Sequence, residues 1–305
     1  MRVSIMGQAA FGEAVFTRLR NEGVEIVGVS APAPRDGGRA DALSVAAESA
    51  GLPCIPTQAL KEEAGLAQWR ALKAELCVMA FVTEIIPDEA LTAPTHGSIQ
   101  YHPSLLPLHR GSSAINWAII NGDRETGLSI FWTDKGIDTG PILLQKRVEI
   151  GAEDTVGSLY FDQLFAMGVD GMAEAVAMVV AGTGPRIEQN HALSTYEPPC
   201  ADVHAEVRWY QAAARIYALI RGCNPQPGAW TTFEGAKLRL FDCSLSGKEE
   251  PGMPGRVLRI DSDGFDVRLN GGVLRVLRVQ PAGAKKLSAG EWAAANGLKE
   301  GFRFR

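Results

Sequence analysis

MRVSIMGQAAFGEAVFTRLRNEGVEIVGVS, residues 1–30, reads as strand, turn, helix, strand. Arg2 to Met6 is a short apolar β run, and Gly7 makes the turn. Phe11, Val15 and Leu19 recur at helical spacing, and Glu25 to Val29 forms the second strand. This β-α-β order predicts a mostly parallel sheet covered by helices, a Rossmann-like α/β fold. Working outward, Ala42 to Ala50 reads as a helix stopped by Gly51, and Leu76 to Phe81 as a strand buried on both faces. Ser98–Tyr101, Leu128–Trp132 and Ile142–Ile150 supply further strands. A helix capped at Asp154 or Thr155 runs towards Val180.

Ile187 to Val203 lacks periodicity and contains Pro198 and Pro199, so it is read as a linker. Beyond it one helix, Ala205 to Ile220, precedes short alternating strands: Lys237–Phe241, Arg256–Ile260, Phe265–Leu269 and Val273–Val279. Asp263-Gly264 and Asn270-Gly271-Gly272 are hairpin turns between them. Strands so spaced suggest a small barrel, OB-like in size. A chain of 305 residues exceeds the usual domain of about 100–200. Two domains are expected, residues 1–200 and 201–305.

Composition narrows the functional classes. The chain is 46% hydrophobic and 21% charged, as in an ordinary globular protein, with a formal net charge of −5. Mixed signs along the chain argue against a nucleic-acid surface, which relies on clustered Lys and Arg. The five cysteines are widely spaced and include no CxxC pair, so neither a zinc ribbon nor a thioredoxin-type site is indicated. Reduced thiols, a start without signal-peptide character and no run approaching roughly 18 apolar residues point to a cytoplasmic protein without a membrane partner. The first turn, Gly7-Gln8-Ala9-Ala10-Phe11-Gly12, is not GxGxxG, and Ser30-Ala31-Pro32 ends the second strand with no acid for a ribose. No nucleotide cofactor is therefore expected.

Open α/β sheets bind ligands beyond the carboxyl ends of their strands. The densest such segment is Gln100-Tyr101-His102-Pro103-Ser104-Leu105-Leu106-Pro107, continuing through Arg110, Gly111 and Asn116. His102 lies directly after a strand and before a proline, and imidazole titrates near neutrality. A lone histidine there is most often a packed loop residue. The second segment, Trp132-Thr133-Asp134-Lys135-Gly136-Ile137-Asp138-Thr139-Gly140, is a polar connection in which Asp138 has tight surroundings while Asp134 suits a turn.

Together these motifs are similar to a known family. HPSLLP, then RG, SAINW, NGD–ETG and DKGIDTGPILLQ resemble the 10-formyltetrahydrofolate-dependent formyltransferases. The likeness is greatest to the N-terminal hydrolase domain of 10-formyltetrahydrofolate dehydrogenase, through Gly7-Gln8, Tyr101-His102-Pro103-Ser104, Ser113–Trp117 and Ser129–Trp132. Asn224-Pro225, Pro227–Trp230 and Gln280–Gly283 resemble the barrel that this domain shares with methionyl-tRNA formyltransferase. The resemblance implies a formyltransferase fold with that barrel appended. It also implies 10-formyltetrahydrofolate as the formyl donor, a substrate rather than a resident cofactor, and no metal. His102 and Asp138 match the family's catalytic pair. Glu84, Ile85 and Ile86 align with the loop that holds the pteridine, with Ser104, Asp134, Lys135 and Gly136 completing the pocket. Gln100 stands where transferases of the family carry Asn, two residues before the histidine, and where the dehydrogenase's hydrolase domain is apolar. Its extra methylene leaves the acceptor open between water and a small amine. A tRNA acceptor ranks below both: the loop from Ala31 to Asp41 is short, its two arginines offset by two aspartates, and the barrel's basic residues are expected to be scattered. A folate-binding regulator without catalysis is the reading from another class, opposed by the intact His102 and Asp138.

Overall fold

The computed structural model describes residues 1–34 and 38–305; Arg35 and Asp36 of the short loop lie outside the described residues. Strands β1 (Arg2–Gly7), β2 (Glu25–Ala31), β3 (Cys54–Pro56), β4 (Leu76–Ala80), β5 (Ser98–His102), β6 (Glu125–Trp132) and β7 (Ile142–Glu149) form one seven-stranded sheet. Its order is β3-β2-β1-β4-β5-β6-β7. The pairs from β3 through β5 are parallel and β5–β6 is antiparallel. Helices α1 (Ala9–Asn21), α2 (Ala42–Ser49), α3 (Glu63–Ala71), α4 (Asp88–Leu91) and α5 (Ala114–Asn121) lie between these strands in sequence. They are followed by α6 (Val156–Ser158), a π-helical turn over Leu159–Leu164, and α7 (Phe165–Val180).

The chain order leaves β1 to one side and resumes with β4 on the other, so the sheet's switch point falls between these two strands. Their ends approach so closely that a Cβ on Gly7 would sit 2.2 Å from the Ala80 carbonyl oxygen. Only glycine fits there. Asp41 ties the helices that follow β1 and β2: one carboxylate oxygen accepts from the Ala9 N–H (2.8 Å) and the other from that of Leu43 (2.9 Å). The main core is apolar throughout, with Val3, Ile5, Val78, Ile99 and Leu128 of the strands against Phe11, Val15, Met172 and Val176 of α1 and α7. The 156–180 segment is long and apolar enough, by length and composition, to cross a membrane, which corrects the expectation that no run approaches that limit. Its second half packs Gly168, Gly171, Met172, Ala175 and Val179 inward.

The C-terminal region is α8 (Ala213–Gly222), then β8 (Trp230–Phe233), β9 (Ala236–Ser246), β10 (Val257–Ile260), β11 (Phe265–Leu269), β12 (Gly272–Pro281), β13 (Leu287–Ser288) and α9 (Ala289–Ala295). These strands make a curled antiparallel sheet of order β10-β11-β12-β9-β8, with β13 on β12. Its core joins Ile216, Leu240, Phe265, Val267, Val276 and Trp292. By packing, residues 1–112, 126–148 and 161–197 form one compact unit, and 113–125, 149–160 and 198–305 another.

Three readings change. The helix expected from Ala205 begins only at Ala213, because Ala205, Val207 and Trp209 are buried while Glu206, Arg208 and Tyr210 are exposed. That is a period of two, and the stretch runs beside β8, with Val207 donating to Trp230 (2.8 Å) and Trp230 to Ala205 (2.8 Å). The linker read from Ile187 is not free up to Glu197: Ile187 pairs with Ile142, and Tyr196 with Arg110. Finally, His102 is the last residue of β5, facing Ser129 of β6, rather than a loop residue beyond the strand.

Candidate active site

Strand geometry sets the first relation. Residues two apart on a strand share a face, so Gln100 and His102 point the same way from β5, while Ile99 and Tyr101 enter the core. Gln100 is half-buried, and its carboxamide has no hydrogen-bond partner among the described residues. After His102 the chain turns sharply and is stitched back onto the sheet. Ser129 Oγ donates to the Ser104 carbonyl (2.7 Å) and accepts from the Leu106 N–H (3.0 Å). Gln145 Nε2 reaches both Ser129 Oγ (2.9 Å) and the Leu106 carbonyl (2.8 Å).

That turn brings the backbone of His109 over the imidazole. His102 Nε2 lies 2.8 Å from the His109 carbonyl oxygen. A carbonyl only accepts, so Nε2 carries a proton and Nδ1 is left as the working nitrogen. His102 Nδ1 lies 3.6 Å from Asp138 Oδ2, with both side chains buried. The same Oδ2 accepts from the Gly111 N–H at 2.8 Å. Asp138 Oδ1 has no protein partner among the described residues. The pair is thus a half-step beyond direct hydrogen bonding, within reach of a small movement or a bridging water.

Asp138 occupies the left-handed region at φ 55°, which Asp tolerates better than most residues. Gln189 Nε2 holds the turn by donating to the Asp138 carbonyl (2.9 Å) and the Gly140 carbonyl (2.7 Å). Arg110, itself buried, donates to Gln189 Oε1 (2.7 Å) and lies 2.9 Å from His191 Nδ1. His109 Nδ1 sits 3.1 Å from Glu197 Oε1. Sequence reading noticed Arg110 and Gly111 but placed Gln189 in a linker. No periodicity marks a lone polar residue in an irregular strap, so nothing in the sequence signalled it.

The remaining predicted residues divide. Ile85 is 80% exposed and offers an apolar surface, whereas Ile86 is packed with Met6, Trp69 and Met79 and offers only backbone. Glu84 accepts from Gln58 Nε2 (2.5 Å) and pairs with Lys61 (3.4 Å). It borders a shallow groove with Gly7, Gln8, Pro32 and Thr83 at the switch point. Asp134 Oδ1 accepts from the Gly136 N–H (3.0 Å) and from Thr139 Oγ1 (2.6 Å), so it shapes the loop that presents Asp138. Lys135, almost fully exposed, lies 3.9 Å from Asp88 at the start of α4. Ser104 is fully buried and donates to the Leu108 carbonyl (2.6 Å), which closes the turn. Among the described residues no group of three His, Cys, Asp or Glu converges as a metal site.

A buried His–Asp pair thus lies at the carboxyl end of the open α/β sheet, where such sheets bind ligands. Comparison with known families supplies the class of protein. The formyl transferase model matches residues 1–176 and the formyl transferase C-terminal domain model matches 202–297; the chain belongs to the formyl transferase family. Over 253 residues it is 45% identical to the cytosolic 10-formyltetrahydrofolate dehydrogenase of Mus musculus, covering 81% of this chain and 28% of that protein. It is 34% identical over 308 residues to the methionyl-tRNA formyltransferase of Geobacter metallireducens, covering 99% and 98%. Its fold also matches HypX from Aquifex aeolicus in complex with tetrahydrofolic acid (TM-score 0.71, 18% identity, 100% of this chain and 50% of that one). An N-formyltransferase from Helicobacter canadensis, with folinic acid and dTDP-3-aminofucose, matches with TM-score 0.70 at 17% identity over 93% of this chain and 99% of that one.

Proposed function

We propose that this protein opens the N10–formyl bond of 10-formyltetrahydrofolate, yielding tetrahydrofolate, with water or a small amine as the acceptor. The observation that carries the reading is the buried His102–Asp138 pair, 3.6 Å apart, on the same side of β5 as the unpartnered Gln100 carboxamide. Attack on the formyl carbon makes a tetrahedral centre whose oxygen becomes anionic. A donor fixed on that oxygen is worth about 3 kcal/mol. Gln100 Nε2 and a protonated His102 Nδ1 are the two donors that face it. The other imidazole nitrogen, His102 Nε2, cannot serve, because the His109 carbonyl holds it.

Asp138 has the opposite task. With Oδ2 fixed by Gly111, Oδ1 accepts the proton from the attacking water or amine. Collapse breaks the C–N10 bond, and N10 takes the proton that His102 gives up. With water the products are tetrahydrofolate and formate; with an amine, tetrahydrofolate and a formamide. Exposed Ile85 supplies an apolar wall for a flat ring system. No nucleotide cofactor or metal is required for these steps. We assign the activity to the cytoplasm, consistent with five free thiols.

The acceptor is argued from charge. Arg259 and Arg275 pair with Asp261 and Asp266, Arg278 with Asp242, and Lys237 and Arg239 share Asp202. A basic surface broken up in this way suits small acceptors better than a nucleic-acid backbone. A second reading, methionyl-tRNA formylation, is favoured by the near-complete coverage of the Geobacter relative. The dehydrogenase relatives, by contrast, extend far beyond this chain, which spans 28% of their length.

One assay separates these readings. The protein is incubated with 10-formyltetrahydrofolate alone, then with an amine panel, then with charged initiator tRNA, and tetrahydrofolate is followed. Release without added acceptor that vanishes in His102→Ala supports hydrolysis. Release only with an amine, or only with tRNA, assigns that acceptor. Silence in every arm, with folate still bound, overturns the enzymatic reading in favour of a binding protein.

A further inference from the structure

Asp138 is held from two sides, and the second side has no part in the reaction just described. Its carboxylate is fixed by the Gly111 N–H, but its backbone is fixed by Gln189, whose amide donates to the Asp138 and Gly140 carbonyls at 2.9 and 2.7 Å. An amide has two similar ends, and what decides which end faces the turn is Arg110. A guanidinium only donates, so its 2.7 Å contact requires the Gln189 oxygen on that side and leaves both N–H groups for the two carbonyls. The left-handed φ of 55° at Asp138 persists only where its surroundings hold it. Gln189 and Arg110 are 6% and 8% exposed, so their hydrogen bonds are sheltered from competing water. Arg110 and Gly111 are also consecutive: one orients Gln189 against the backbone of Asp138, and the next binds its carboxylate.

We propose that Gln189, oriented by Arg110, is a positioning residue that sets the Asp138 carboxylate against His102 Nδ1. The proposal rests on the assignment of His102 and Asp138 as the reacting pair, and deepens it. Gln189 touches neither imidazole nor carboxylate, so it acts wholly through Asp138. Other charged and titratable groups around the pair are His109 with Glu197, and His191 beside Arg110.

Gln189→Met keeps the side chain's length and removes both donors. Its kcat should fall by roughly 10- to 100-fold, since a shift of about 1 Å in a catalytic group costs that much. KM for the formyl folate should stay within about threefold, because ground-state binding is untouched. In an Asp138→Asn background the same change should cost nothing further, as expected for residues acting in one chain. An additional loss in that background, or a kcat unchanged in the single variant, overturns the proposal. An activity-independent readout is amide exchange at Gly111, whose N–H is bonded to the carboxylate. It should accelerate in Gln189→Met while the Arg110 N–H, bonded to the Thr195 carbonyl, exchanges as before. If both accelerate together, Gln189 is merely structural. Should Gln189→Met fail to fold, Gln189→Glu takes its place, since the carboxylate still accepts from Arg110 but cannot donate. Failure of both to fold assigns a structural role and also overturns the proposal. If the wild type releases no formyl group, the enzymatic reading fails, and the Gly111 exchange result alone decides whether Gln189 sets Asp138.

Discussion

At the residue scale, Asp138 owes its position to close packing of the turn behind it. A Cβ on Gly140 would lie 1.8 Å from the Trp132 carbonyl oxygen, a backbone atom that cannot swing aside. Gly140→Ala should therefore cost about 1–3 kcal/mol of stability and lower kcat more than Asp134→Ala, whose carboxylate serves only its own loop. A urea titration beside the formyl-release assay checks both halves. Asp138→Asn tests the carboxylate directly: it keeps the shape and removes the proton acceptor, so kcat should drop by roughly 100- to 10,000-fold with the fold intact by circular dichroism. Retention of more than a tenth of the activity would reassign the base. His102 and Asp138 were legible as residues because their motifs are distinctive. Their separation was not, since 35 residues of chain intervene and only the folded sheet brings β5 beside the loop after β6. Gln189 was not legible at all. Its role depends on two carbonyls and a guanidinium that no sequence pattern links to it.

At the element scale, the sheet was readable because its strands are apolar runs set off by turns. The strand Cys54–Pro56 and the helix Glu63–Ala71 were missed, the first for its three-residue length and the second for its weak apolar stripe. The 205–212 stretch was misread through helix-compatible composition, although its alternation in burial follows its alternation in sequence. The helix with most bearing on the site is α7. Gly168 lets it approach the ring pair Phe11–Tyr101, whose centroids are 4.5 Å apart. A Cβ there would fall 2.7 Å from the Tyr101 ring and 2.9 Å from that of Phe11. Alanine is the better helix former by about 1 kcal/mol, yet both rings are buried and cannot yield cheaply. Gly168→Ala should accordingly lower the unfolding midpoint. Because Tyr101 immediately precedes His102, it should also reduce kcat in the same variant. Unchanged stability would mean that the rings move aside at little cost.

At the scale of the whole molecule, buried acids that the fold holds protonated should weaken it at alkaline pH. Burial pushes the Cys77 thiol, in the first sheet, up to about 12 from its ordinary 9.0. Burial raises Tyr217 and Cys243 of the C-terminal unit as well; for Tyr217 the adjacent Glu153 adds to the effect. Each folded pKa is raised, so the stability that these groups contribute is fully present below their unfolded pKa and is lost as pH rises through the folded one. For Cys77 that window runs from 9.0 to about 12, and three pKa units correspond to about 4 kcal/mol across it. The acid limb has the opposite sign. Hydrogen bonds from Lys237 to Asp202 and from Arg275 to Asp261 hold both carboxyls below their ordinary range, Asp261 at about 2. Their contribution is present above the unfolded pKa of 3.8 and disappears as pH falls through the folded values. Urea midpoints between neutrality and about pH 11 should thus decline from pH 9 upwards in the wild type. In Cys77→Ala, where the fully buried thiol is gone and only the half-buried Cys54 thiol remains in the first sheet, the decline should be shallower even if the midpoint at neutral pH is lower. Parallel curves for the two proteins would show that the alkaline limit is set elsewhere, by the C-terminal unit's Tyr217 and Cys243.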